Sequence, residues 1–243
     1  MVEKSKSILR QIHWSLVLRA AVFALAWFFF PFWLFLLIAL YLYFVPLFQA
    51  KKLAVPFFVL LILTYIEAPS ILFLLIFAAL FYYLLLIKDL LLIDRRSAYE
   101  LVVLALAFFL IRSFYEYFGA GLITGASLWY GFSVAALIGL LINGFIRGFS
   151  DGPGSESVKR DISPRVAAWL AFLMVWQFLI LGLFLPLDFV YQSVIIVLIA
   201  VPVIDFVPEY CFGGVASRRK VLTTGMAVFA LLAIVLSSAQ WSI

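Results

Sequence analysis

An all-α bundle of membrane-spanning helices is the fold class the sequence predicts, and three observations carry the prediction. Hydrophobic residues make up 67% of the chain and charged residues only 12%. A soluble domain carries roughly 25% charged residues, so this chain has too little polar surface to face water all round. Apolar runs on the scale of a membrane span recur from one end to the other. Finally, Lys and Arg gather in clusters at Lys4–Arg10, Lys51–Lys52, Lys88–Arg96, Arg147–Arg165 and Arg218–Lys220, separated by enough apolar sequence for an out-and-back helix pair.

The positive-inside rule places all these clusters in the cytoplasm. The segments between them then turn on the outer side, and they read as turns. Pro31 sits in FFFPFW, EAPS runs Glu67 to Ser70, GAGLITGA runs Gly119 to Ala126, LPLD runs Leu185 to Asp188, and the chain ends in QWSI. None contains Lys or Arg, and all but the last contain Pro or Gly. The expected spans are roughly 14–30, 32–49, 53–67, 70–88, 98–118, 127–146, 166–185, 189–207 and 221–239, about nine in all with eight to ten allowed, the N-terminus inside and the C-terminus outside. The third is short. About 14 apolar residues at 1.5 Å each reach about 21 Å, against a hydrocarbon core of about 30 Å, so 53–88 is either two full crossings or a re-entrant hairpin.

The N-terminal segment has the basic start of a signal peptide, but its apolar run is too long and no small-residue cleavage site follows, so it is read as retained. Trp27, Trp33, Trp129 and Trp241 fall near outer span ends and Trp14 and Trp169 near inner ends, as an aromatic belt; Trp176 falls in mid-span. The loop Gly148–Arg165 is rich in Gly, Ser and charge and reads as a flexible cytoplasmic linker. The chain is therefore expected to be a single integral membrane domain, residues 1–243, with six spans over 1–147, the linker over 148–165 and three spans over 166–243.

Of 17 Lys and Arg residues, Arg19 and Arg112 alone fall away from the inner loops. Arg19 is one turn into the first span and can snorkel back. Arg112, in FFLIRSFYEYFG, lies near or past the midplane, where an unpaired charge costs several kcal/mol. Glu116, four residues on, shares its helix face, and Glu67 and Asp188 are the other outer carboxylates. The group Arg112, Glu116, Glu67 and Asp188 is a candidate intramembrane polar site, either a structural ion pair or a place for an anion or lipid headgroup.

In VPVIDFVPEY, Asp205 lies between Pro202 and Pro208, with Glu209 four residues later. Proline removes a helix donor and frees a carbonyl, so a broken or kinked helix end is expected. The two acids are a candidate ion or proton site, or the partners of Arg218, Arg219 and Lys220. In the sixth span Ser127, Gly131, Ala135, Gly139 and Asn143 recur every four residues. Such a stripe lets another helix approach closely, whether from this chain or a second one. Gln177 and Gln192 read as interhelical hydrogen-bond formers. Asp89, Asp94, Lys88, Arg95 and Arg96 read as a solvated charge cluster, and His13 as an interfacial residue.

Several enzyme classes lack their groups. One histidine and one cysteine, Cys211, cannot make a zinc site or an intrachain disulfide. A serine nucleophile has no basic partner, since the only histidine lies in the N-terminal tail, and no Gly-rich phosphate loop is present. No metal, cofactor or nucleic-acid partner is implied. The expected role is a non-enzymatic component of a plasma or inner membrane, packing with itself or another membrane protein. A small secondary transporter is the alternative and a lipid-handling enzyme a weaker one.

Overall fold

The computed structural model describes residues 14–45, 50, 53–89, 95–118, 124–150, 163–211 and 218–238. Outside them lie Lys4–Arg10, His13, Lys51, Lys52, Asp94, Gly119–Ile123, residues 151–162 of the linker and Trp241. Helices and turns make up the described chain, with no strand among these residues. In order the helices are α1 (Trp14–Phe29), α2 (Phe32–Phe44), α3 (Ala54–Ile66), α4 (Ile71–Lys88), α5 (Arg95–Phe118), α6 (Gly125–Ser150), α7 (Pro164–Gly182), α8 (Phe189–Cys211) and α9 (Arg218–Ser238). From α4 onward, six helices are long and apolar enough to cross a membrane, and α1 to α3 are shorter apolar helices. This is a multi-pass helical membrane protein by length and composition.

Local chemistry sets the ends. Ser70 accepts a hydrogen bond from Phe73 N–H at 3.3 Å and so caps α4. Thr124 and Ser127 cap α6 reciprocally: Ser127 Oγ accepts from Thr124 N–H at 3.0 Å, and Thr124 Oγ1 from Ser127 N–H at 3.2 Å. Ser163 caps α7 through Val166 N–H at 3.3 Å, and Pro164 takes the first helical position, where its missing N–H removes no helix bond. The second span was expected to reach residue 49, yet α2 stops at Phe44. Val45 is extended at φ −107°, ψ 111°, the conformation that the following Pro46 imposes on its predecessor.

The chain divides into two compact units, residues 1–102 and 103–243. In the first, α1 packs on α2 and α4, and α4 also on α3. Stacked rings fill this core: Phe23 lies 4.2 Å from Phe81 and Tyr43 3.9 Å from Phe57, centroid to centroid. Trp27 Nε1 donates to Thr64 O at 2.8 Å, joining the ends of α1 and α3. Trp27 is thus buried and tied into the core, not part of an aromatic belt, whereas Trp14, Trp33, Trp129 and Trp169 are all exposed.

In the second unit α7 packs on α6 and α8, and α8 on α9. The helices alternate in direction. Phe114, late in α5, lies beside Gly131, early in α6, which in turn lies beside Ile180, late in α7. Tyr115 Oη donates to Leu179 O at 2.8 Å. That carbonyl is free because α7 ends in a tighter turn, with Leu183 N–H bonded to Ile180 O. Gly182 makes the approach possible, since a Cβ there would fall on the Tyr115 hydroxyl.

Candidate intramembrane polar sites

The end of α2 collects cations. Its last carbonyls have no helical donor and carry the negative end of the helix dipole. Arg19 Nη1 donates to Val45 O at 3.0 Å. Lys88 Nζ donates to Tyr43 O at 2.7 Å and lies 5.4 Å from the Tyr43 ring centroid. Tyr43 Oη donates to Ala50 O at 3.1 Å. Lys88 is fully buried, with Asp89 Oδ1 at 3.7 Å. The solvated cluster expected around Lys88 and Asp89 is therefore corrected: the lysine is folded inward onto a helix end. Sequence reasoning missed this group because a lysine closing an apolar run next to DLLLIDRR reads as an interfacial charge. The available signal was that Lys88 follows LLLI without a break, on a helix whose last turn is buried throughout.

Arg112 Nη2 meets Glu116 Oε2 at 2.9 Å, the pair expected from their i,i+4 spacing. The arginine side chain is 18% exposed and the glutamate 44%. The guanidinium carbon also lies 6.0 Å from the centroid of Phe189, the first residue of α8. Asp188, just before it, is exposed, and its backbone oxygen accepts from Gln192 N–H at 3.0 Å. Glu67 belongs to the first unit, where it closes α3 with its N–H on Leu63 O at 2.9 Å. Gln192 does not bridge helices: its Nε2 donates at 2.8 Å to Leu185 O in the turn just before its own helix. Gln177 is exposed.

Asp205 Oδ1 lies 3.0 Å from Lys220 Nζ, linking α8 to the start of α9. Lys220 also stands 5.9 Å from the Phe206 ring centroid. Of the break or kink expected at the prolines, the break does not occur, since α8 continues through Pro202 and Pro208 to Cys211. Each proline removes one N–H, and a helix held on both sides of that gap tolerates the loss. The side chain of Glu209 lies outside the described residues. At the other end of the same helix pair, Tyr191 Oη donates to Ser238 O at 3.3 Å.

The small-residue stripe faces its own chain. A Cβ on Gly131 would meet the Phe114 ring at 3.1 Å, and one on Gly139 would meet Phe172 Cβ at 3.1 Å and Ala168 O at 3.4 Å. Ser127 and Ala135 are fully buried. The stripe thus seats α5 and α7 on α6. Asn143, at its end, is partly exposed, yet its Oδ1 is buried without a hydrogen-bond partner. Among the described residues no group of three or more His, Cys, Asp or Glu side chains is placed to hold a metal ion. Compared with family models, curated proteins and solved structures, the chain finds no match.

Proposed function

We propose that the protein is a non-enzymatic, multi-pass membrane component that works by packing α9 against a second transmembrane helix, supplied by another copy of the chain or by another membrane protein. One observation carries this reading. In their most apolar windows the other five long helices are 33–56% buried, whereas α9 is 0% buried. Lipid tails provide no hydrophobic drive for helices to associate, so close packing at small residues does that work. Gly225 has nothing within 4 Å of a Cβ placed on it, and Met226, Phe229 and Leu222 are exposed around it. Another stripe of the helix is turned to α8, where Leu232 and Val235 pack on Leu187 and Ile195.

In this reading the basic helix ends lie in the cytoplasm. Lys88 and Arg19 share one end of the first unit. Arg147, Arg165 and Lys220 close or open their helices at the end of the second unit away from Arg112. The N-terminus is then inside, the C-terminus outside, and the membrane a plasma or inner membrane.

The test is cysteine crosslinking in native membranes on a Cys211→Ser background. Cysteines at Met226 and Phe229 should crosslink in a higher-mass complex, and Gly225→Leu should weaken that complex without lowering the melting temperature. A chain that is monomeric in lipid nanodiscs, forms no crosslink through α9 and copurifies with no stoichiometric partner would sink the reading.

A further inference from the structure

A groove of ≈ 320 Å³ runs between α6 and α7, lined by Phe132, Leu140 and Phe172 along its length and by Trp169, Asn143 and Arg165 toward one end. Its walls are mostly apolar, with three aromatic rings among them. Phe132 and Phe172 meet edge to face at 5.1 Å, and Trp169 and Phe172 at 5.4 Å. Trp169 is 63% exposed and Leu140 50%, so the groove opens sideways to whatever surrounds the helices. Its polar end is cationic. Arg165 lies in the first turn of α7, where the helix dipole adds positive potential to that of the guanidinium. Asn143, partly exposed, lines the same end of the groove and offers it an amide.

We propose that this groove binds an anionic glycerophospholipid with a hydroxylated headgroup, of the phosphatidylglycerol class. The phosphate sits on Arg165, where a planar guanidinium can hold two of its oxygens. A headgroup hydroxyl hydrogen-bonds to the accessible edge of the Asn143 amide, and one acyl chain lies along Trp169, Phe172 and Phe132. Charge complementarity selects the anion, and the apolar walls select a ligand with a tail. A lateral opening suits a molecule that arrives from within the bilayer. The site shares no residue with the α9 surface, so it stands or falls independently of that assembly.

Native mass spectrometry of the purified full-length protein tests this, using dioleoyl phosphatidylglycerol, phosphatidic acid and phosphatidylcholine at equal concentration. Wild type should retain phosphatidylglycerol several-fold more than phosphatidylcholine. Arg165→Gln should bring the two to parity, and Asn143→Leu should abolish the preference for phosphatidylglycerol over phosphatidic acid. Ala136→Phe, which fills the groove, should reduce retention of all three. Excess glycerol 3-phosphate should not displace the bound lipid. Arg165 is exposed, so unchanged circular dichroism and melting temperature are expected of its variant. Equal retention of charged and neutral lipid by wild type, undiminished preference in Arg165→Gln, or displacement by glycerol 3-phosphate would each overturn the proposal.

Discussion

Lys88 Nζ donates to the main-chain oxygen of Tyr43 across 45 residues of sequence, at 2.7 Å and with no solvent exposure of the lysine side chain. The bond joins the last residue of α4 to the last turn of α2. It satisfies a carbonyl that the helix itself leaves open. Lys88→Met keeps most of the volume and removes the donor. We expect a loss of about 1–3 kcal/mol, the range for stranding a buried polar group, read as a lower melting temperature in detergent. An unchanged midpoint would show that the carbonyl has another donor.

Tyr115 and Gly182 form a lock of a different kind. Tyr115→Phe removes a single bond to Leu179 O and should cost about 1 kcal/mol. Gly182→Ala places a methyl where the hydroxyl sits and should cost more, about 1–3 kcal/mol, as overpacking does. The two are coupled: in the Gly182→Ala background the further change Tyr115→Phe should be close to neutral or restore stability. A thermal-denaturation cycle that proves additive would refute the geometry.

Much of this architecture was legible in one dimension, and the reasons are physical. Prolines, glycines and basic clusters punctuate apolar runs, so the expected spans overlay α1 to α9 within a few residues at most ends. Arg112 and Glu116 were legible as a pair because helical periodicity alone brings them together. Long-range polar ties were not. Nothing in KDLLLIDRR says that the end of α2 returns to meet its lysine. The burial of Trp27 depends likewise on Thr64, a neighbour 37 residues away. Nor could the sequence say what the stripe on α6 packs against. Its partners turn out to be Phe114 of α5 and Ala168 and Phe172 of α7.

That stripe gives a contrast between two glycines. Gly139→Leu drives a side chain into Phe172 and the Ala168 carbonyl, and should destabilise the chain by about 1–3 kcal/mol or more. Gly225→Leu meets open space and should leave the stability within about 0.5 kcal/mol of wild type. Equal effects in a thermal scan would contradict the placement of α6 against α7.

The two ion pairs should be modest. The Arg112–Glu116 and Lys220–Asp205 pairs each have one partner more than a third exposed, and pairs of that kind contribute about 0.2–1 kcal/mol. Glu116→Gln and Asp205→Asn should each stay within that range. For Asp205→Asn the effect should vanish when Lys220→Met is already present. A far larger loss in either single variant would mark a deeper network than the pair itself.

Helix α9 is held to α8 by Lys220 on Asp205 near one end and by Ser238 on Tyr191 at the other. It is thus fastened at both ends. Along its apolar window no residue is buried. Substitutions at Leu222, Met226 or Phe229 meet the surroundings of the chain before they meet its interior. The outward face of α9 is thus a surface on which sequence can drift or specialise while the packed helices behind it keep their shape.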